Sequence, residues 1–289
     1  MAKIIYLGSP EAAVAPLKAL LDAGHEVPLV ISQPDRRRGR GGELSSTPVK
    51  AFAQSQGISV TDDLGLLASS NVELAVVVAY GRIIPKELLV LMPFLNIHFS
   101  LLPRWRGAAP VERAILEGDD LSGVSIMALE ESLDTGAVYA RAELALGEKT
   151  AEEILRDLSN LGASLLRELL AKGLEGLPEP VAQAGEASYA KKISAEDLRI
   201  SASMTAEEML RRVRLGRASL GVLGRRLGVL AAHCEDSEPG DEPGSLSGFV
   251  LCTSSGRLVL DLVQPEGKRP IAAQDWSRGA RLPTVAPLD

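Results

Sequence analysis

The sequence predicts an α/β protein: a doubly wound, mainly parallel sheet with helices, followed by a small β-barrel. Three observations carry this reading. Short apolar runs alternate with helical patterns through the first part of the chain. One of those runs, 74–80 (LAVVVAY), is apolar throughout, as suits a central strand covered on both faces. Beyond residue 204 the apolar segments become short and are separated by Gly- and Pro-rich turns.

Taken in order, Ile4-Ile5-Tyr6-Leu7 forms the first strand and stops at Gly8-Ser9-Pro10. A helical pattern over 13–23 follows, Gly24 ends it, and 27–32 reads as the next strand, which completes a βαβ unit. Gly8 stands alone, so no dinucleotide-binding fingerprint is present. Further strands are expected at 74–80, 94–99 and 124–129, with helices at 110–117 and 151–171. Gly173, Gly176, Pro178, Pro180 and Gly185 give the next stretch the composition of a linker. A helix over 205–215 opens with Thr205 and Glu208 at capping-box spacing. Apolar segments at 227–232, 248–253 and 257–263 then supply the barrel, interrupted by the acidic loop 235–245 and by Ser254-Ser255-Gly256. The division expected is a first domain over 1–180, a linker over 181–203 and a C-terminal domain over 204–289.

Composition narrows the class. A chain of 289 residues has room for two ordinary domains. It is 46% hydrophobic but only 3% aromatic, so aliphatic side chains must fill the cores. The net charge of −7 disguises an asymmetry: residues 211–289 hold 11 Lys/Arg against 9 Asp/Glu, whereas residues 1–210 hold 20 against 29. Any attraction for phosphate must therefore come from local patches. Two cysteines exclude a disulfide framework, and no Cys/His spacing suggests zinc or another metal. The opening apolar run is too short for a signal peptide, and no run of about 18 apolar residues exists to span a membrane. A cytoplasmic protein is expected.

Residues 96–107 read NIHFSLLPRWRG. On a strand, Asn96 and His98 share one face while Ile97 and Phe99 share the other. The polar pair falls where the strand ends, and ligands of open α/β sheets bind outside the carboxyl ends of strands. Asp134, in the turn Leu133-Asp134-Thr135-Gly136, could reach the imidazole. These three types suit acyl transfer to an amine. An Asn amide can stabilise a tetrahedral oxyanion, a His can move protons near neutral pH, and a carboxylate can orient it. No cysteine or elbow serine is near, so direct attack is expected in place of an acyl-enzyme. On the residues alone a plainer alternative stays open, in which Asn96 and His98 merely end a strand and Asp134 forms a turn.

Asn96-x-His98 followed by Ser100-Leu101-Leu102-Pro103 resembles the signature of the 10-formyltetrahydrofolate-dependent formyltransferases, whose triad is Asn, His and Asp. Within them the chain is similar to the methionyl-tRNA formyltransferase family, nearly end to end. Six stretches carry the likeness in order: 33–41 (QPDRRRGRG), 76–86 (VVVAYGRIIPK), 101–110 (LLPRWRGAAP), 131–137 (ESLDTGA), 188–193 (SYAKKI) and 263–269 (VQPEGKR). The resemblance implies a Rossmann-like catalytic domain, a linker and an OB-like barrel. It also implies formyl transfer from 10-formyltetrahydrofolate to the amino group of initiator methionyl-tRNA, through a tetrahedral intermediate, by Asn96, His98 and Asp134. The folate would lie against Val78, Ala79, Tyr80 and Gly81 and against Ser100, Leu101, Leu102 and Pro103. A monomer is expected.

The basic stretch 36–40 has a plain reading as a solvated surface loop. The resemblance favours an RNA grip by Arg36, Arg37, Arg38 and Arg40, with Gly39, Gly41 and Gly42 allowing backbone adjustment. Lys191, Lys192, Lys268 and Arg269 are secondary candidates for phosphate contact. His25 reads as structural, and His233 has no partner evident in the sequence. Three departures from the family pattern stand out. Ala12 replaces an aromatic expected to enclose the methionyl side chain. Ile200-Ser201-Ala202 replaces an Ile-Asp-Trp. Gly216-Arg217-Ala218-Ser219 occupies the place of a Phe-Asn-Pro-Trp-Pro-like stretch. The alternatives are a sugar-nucleotide N-formyltransferase with the same triad and a catalytically inactive RNA-binding paralogue.

Overall fold

The computed structural model describes residues 1–38, 42–280 and 286–287, with Arg38, Ala286 and Pro287 described by their backbone alone. Contacts divide the chain into two compact units: Met1–Pro110 with Leu121–Ala145 and Leu155–Ala190, and Val111–Asp120 with Leu146–Ile154 and Lys191–Asp289.

The first unit is built on β1 (Ile4–Gly8), α1 (Val14–Asp22) and β2 (Leu29–Ile31). There follow β3 (Arg36–Arg38), β4 (Glu43–Ser45), α2 (Pro48–Ser55) and β5 (Ser59–Thr61). Next come β6 (Leu74–Val78), α3 (Lys86–Leu89), β7 (Phe94–His98) and β8 (Arg106–Gly107). Beyond α4 (Pro110–Glu117), which apart from Pro110 belongs to the second unit, the strands β9 (Leu121–Ala128) and β10 (Val138–Ala145) precede α5 (Ala151–Leu170), whose first turn also belongs to the second unit, and β11 (Tyr189–Ala190). Seven strands form one sheet in the order β10-β9-β7-β6-β1-β2-β5. β7, β6, β1, β2 and β5 are parallel, while β9 runs antiparallel to β7 and β10 antiparallel to β9. Every residue of β1, β6 and β7 is buried, as apolar runs covered on both faces require. Helix α2 opens on a formed cap: Thr47 accepts from the Lys50 amide, and Pro48 takes the first helical position.

Several short elements were not expected from the sequence, and two of the differences stand out. Arg36–Arg38 is a strand, paired antiparallel with Glu43–Ser45. The backbone pairing of that short ladder outweighs the charge density that suggested a loop. β10 has no counterpart in the sequence expectation, although its exposed and part-buried residues alternate as an edge strand should.

The second unit contains α6 (Ala206–Arg214), β12 (Ala218–Val222), β13 (Arg225–Glu235), β14 (Ser245–Ser247) and β15 (Val250–Cys252). These are followed by β16 (Arg257–Pro265), β17 (Ile271–Ala272), α7 (Ala273–Ala280) and β18 (Ala286–Pro287). The sheet is antiparallel, ordered β12-β13-β16-β15-β14-β18 with β17 on β16. Register shifts between Val229 and Ala232 bend the long β13 and let the sheet curl. The curled face holds Leu220, Val229, Leu246, Leu251, Leu258 and Val263, against which Met209 and Val213 of α6 pack. The Thr205–Glu208 capping box forms in both directions. Arg257 clasps the acidic loop through Asp241 at 2.6 Å and Glu238 at 2.7 Å, which holds the Asp241 carboxyl well below the usual range. Arg113 on α4 grips Asp197 with two nitrogens at 2.7 and 2.9 Å.

Candidate active site

The carboxyl ends of β1, β2, β6 and β7 lie side by side, because these strands are parallel neighbours. A cleft of about 310 Å³ opens there, lined by Ser9, Pro10, Gln33, Thr47, Ala79 and Gly81 among others. It falls where the chain order reverses across the sheet, between β1 and β6, the usual ligand crevice of a doubly wound fold. Ser9 and Gln33 hold its wall together: the Gln33 amide N–H donates to Ser9 Oγ at 3.1 Å, and Gln33 Nε2 donates to the Tyr80 carbonyl at 3.2 Å.

β7 ends in Asn96, Ile97 and His98. Ile97 and Phe99 are buried, as alternation requires, but so are Asn96 and His98, with 9% and 6% of their surfaces exposed. The polar pair thus sits in a shielded recess where each hydrogen bond counts for more. Asn96's side-chain amide has no hydrogen-bond partner among the described residues, which leaves both its protons open to a ligand. His98 Nε2 lies 2.9 Å from the Trp105 carbonyl. A carbonyl only accepts, so Nε2 carries the proton and Nδ1 is the basic nitrogen of the neutral ring. Nδ1 faces Asp134 Oδ2 at 3.8 Å.

Asp134 is 7% exposed and adopts φ +52°, an uncommon region for a residue other than glycine. Among the described residues other than glycine, only Ala79, Trp105, Asp134 and Leu223 have positive φ, and the first three all lie in these loops. Strained backbone of this sort persists where surroundings over-determine it. Asp134 Oδ2 accepts the Gly107 amide N–H at 2.8 Å. Two glycines let the segments meet. Gly107 has φ +117°, and a Cβ there would meet the Ala190 carbonyl oxygen at 2.8 Å; at Gly136 a Cβ would collide with the Ala128 carbonyl.

The segment 100–103 and the end of β6 frame the recess unevenly. Leu101 and Pro103 are part-exposed and Ala79 and Gly81 exposed, so these can meet a ligand directly. Val78, Tyr80, Ser100 and Leu102 are buried, and their side chains act by shaping the wall. Ser100 Oγ donates to the Arg104 carbonyl at 2.6 Å, and Ser125 Oγ accepts the Leu102 amide at 3.1 Å.

The expected RNA contacts fall in both units. Arg36 and Arg37 are exposed on β3, Arg38 contributes its backbone to that strand, and Arg40 lies outside the described residues. Lys191 and Lys192 are exposed, and Arg113 holds both of their carbonyls, at 3.0 and 3.4 Å. Lys268 and Arg269 are exposed beyond β16. Lys268 lines a cleft of about 410 Å³ with Arg225, Arg226 and Trp276, which the sequence analysis did not single out. The Arg225-Arg226 pair opening a strand was a signal available for the first two. None of the three cations forms an ion pair among the described residues. No cluster of three or more His, Cys, Asp or Glu side chains that could hold a metal occurs among the described residues. No described helix is long and apolar enough to cross a membrane.

His25 has a structural place: it is buried, and its Nδ1 accepts the Ala2 amide at 3.2 Å. His233 does have partners, Asp261 at 3.0 Å and Glu235 at 3.5 Å, and the bond to Asp261 is the main cause of its raised pKa.

Comparison with known proteins identifies the family. Residues 2–170 match the formyl transferase family model and residues 192–281 the formyl transferase C-terminal domain. A methionyl-tRNA formyltransferase of Thermus thermophilus is 41% identical over 299 residues, covering 96% of each chain. One from Corynebacterium glutamicum is 38% identical over 307 residues, covering 97% of this chain and 98% of that one. A solved N-formyltransferase from Helicobacter canadensis, in complex with folinic acid and dTDP-3-aminofucose, shares the fold with a TM-score of 0.72 at 17% identity, over 92% of this chain and 100% of the other. On the strength of two full-length relatives and two matching domains, the chain belongs to the methionyl-tRNA formyltransferase family.

Proposed function

We propose that this chain transfers a formyl group from 10-formyltetrahydrofolate to the free amino group of initiator methionyl-tRNA, with Asn96, His98 and Asp134 as the reacting site. The observation that supports it is the open amide of a buried Asn96 beside a histidine whose proton position is fixed. An orphan donor in a shielded recess is what a developing oxyanion needs, and it fits the carbonyl of a formamide donor. The folate supplies a formyl carbon attached to a nitrogen that can leave. Across the whole reaction that carbon–nitrogen bond breaks, one to the methionyl amine forms, and one proton passes from the amine to the leaving nitrogen.

Each residue has one task. Asn96 donates to the formyl oxygen as negative charge grows on it. His98 takes the amine's proton on Nδ1 and returns it to the leaving nitrogen, while its Nε2–H stays on the Trp105 carbonyl. Asp134, 3.8 Å away, steadies the imidazolium formed in between. The exposed edges of Ala79, Gly81, Leu101 and Pro103 would receive the folate. Val78, Tyr80, Ser100 and Leu102 would support that surface from behind. Residues 1–180 would carry the chemistry, 181–203 the connection, and 204–289 part of the RNA grip. Arg36, Arg37, Arg38, Arg40, Lys191, Lys192, Lys268 and Arg269 would meet phosphates.

An incubation with formyl-labelled 10-formyltetrahydrofolate and a choice of acceptors tests this directly. Label is expected on methionyl-tRNA and not on uncharged tRNA or an amino-sugar nucleotide. Label on the sugar nucleotide alone would overturn the assignment of the acceptor.

A further inference from the structure

We propose that Gln183 is a positioning residue for formyl transfer, holding the Asp134 turn against the segment that fixes His98. This rests on the reading of Asn96, His98 and Asp134 as the reacting site. Gln183 belongs to a stretch whose composition suggests only a linker, yet its amide is fully engaged. Nε2 donates to the carbonyls of Asp134 and Gly136, at 2.8 and 2.9 Å. Oε1 accepts from Nε and Nη2 of Arg106, at 3.0 and 2.6 Å. A side-chain amide has two protons and two lone pairs to offer, and all four are used here. The orientation is unambiguous, because a guanidinium only donates and a carbonyl only accepts.

The partners of this amide explain its role. Arg106 stands between Trp105, whose carbonyl holds His98 Nε2, and Gly107, whose N–H holds Asp134 Oδ2. Asp134 and Gly136 bracket the turn whose first member adopts φ +52°. One side chain therefore joins the two backbone segments that set the imidazole and the carboxylate. Its own placement is fixed on both sides. Val181 and Val138 exchange backbone hydrogen bonds of 2.8 and 2.9 Å. Further on, Ser188 Oγ accepts the Trp105 amide at 2.9 Å, and β11 pairs with β8. The chain from 181 to 190 wraps the loops that carry the site, and Gln183 is the contact that reaches the Asp134 turn. A turn held in an uncommon conformation drifts when its carbonyls lose their donors, and a displacement of about 1 Å at a reacting group can cost about 10²-fold in rate.

Two variants separate this role from mere packing. Gln183→Met keeps the length of the side chain and loses all four bonds. Gln183→Glu keeps an acceptor for Arg106 but places oxygen against the two carbonyls. Both should lower kcat by roughly 10- to 100-fold and leave the KM for folate within about twofold. The pH–rate profile of each should move in the same direction as that of Asp134→Asn. On an Asp134→Asn background, Gln183→Met should cost less than about twofold more, since residues acting through one another are not additive. Near-full kcat in both folded variants would overturn the proposal, as would losses that multiply on the Asp134→Asn background. If Gln183→Met fails to fold, Gln183→Glu decides; loss of fold in both would make Gln183 a residue of stability and overturn the proposal too. An Asp134→Asn enzyme at full rate would instead contradict the reading of the site, a distinguishable result.

Discussion

Asn96 and His98 stand two residues apart on one strand, and that spacing makes them legible from sequence pattern alone. Period-two alternation places both on one face, and the strand end places them in a crevice. Asp134 was legible only as a nearby carboxylate. Its hold on the Gly107 N–H and the dependence of both on Gln183 were not, because contacts across 27 and 49 residues leave no trace in local pattern. Asp134→Asn should slow transfer and alter its pH–rate profile, since the neutral amide removes the charge that steadies the imidazolium. An unchanged rate and profile would leave Asp134 as a turn former. Ala12, which stands where the family pattern has an aromatic, is buried, and its carbonyl accepts the Ser159 hydroxyl at 2.6 Å. Ala12→Phe should therefore destabilise the fold by about 1–3 kcal/mol through overpacking, which thermal unfolding measures. An unchanged Tm with a lower KM for methionyl-tRNA would show that the pocket does open at this position.

Among the elements, the helices with a strong period or cap were the most legible. α4 and α5 declared themselves by periodicity, and the capping box of α6 by Thr205 and Glu208. The two- and three-residue strands β3, β4, β8 and β11 did not, since such short ladders depend on partners fixed by the tertiary fold. Thr205→Ala should cost about 1 kcal/mol, because it leaves a helix-end N–H unpaired, and chemical denaturation of the variant would register the loss. The basic strand β3 and the residues after it carry the stronger functional prediction. Replacing Arg38 and Arg40 by Ala should raise the KM for aminoacyl-tRNA and reduce the slope of log K against log salt by roughly 0.7 to 0.9 per lost phosphate contact. Folate affinity should not change. Parallel salt plots at equal affinity would show that these arginines touch no phosphate.

At the scale of the whole molecule, an α/β sheet followed by a curled antiparallel sheet was predictable from where apolar runs are long and where they are short. What pattern could not give was the grouping of contacts. Val111–Asp120 and Leu146–Ile154 associate with the C-terminal residues, although they lie within the first 180. That unit also holds three carboxyls lowered from their ordinary values: Asp197 by Arg113, Asp241 by Arg257, and Glu208 mainly by the Thr205 amide. A depressed native pKa stabilises the fold above the unfolded value near 4 and loses that contribution as pH falls toward the native one. Tm should therefore fall as pH drops below about 4, and Arg113→Gln should lower Tm at pH 7 while making the acid fall shallower. Equal acid sensitivity in wild type and variant would remove Asp197 from the account.

The measurement that bears most directly on the whole account is kcat/KM for formyl transfer to methionyl-tRNA in wild type and Asn96→Ala, with thermal unfolding of both. Loss of an oxyanion donor is expected to cost about 10²–10³ in rate, with the variant folded because Asn96's amide bonds to no other described residue. A folded Asn96→Ala protein that transfers formyl at near the wild-type rate would contradict the assignment of the site.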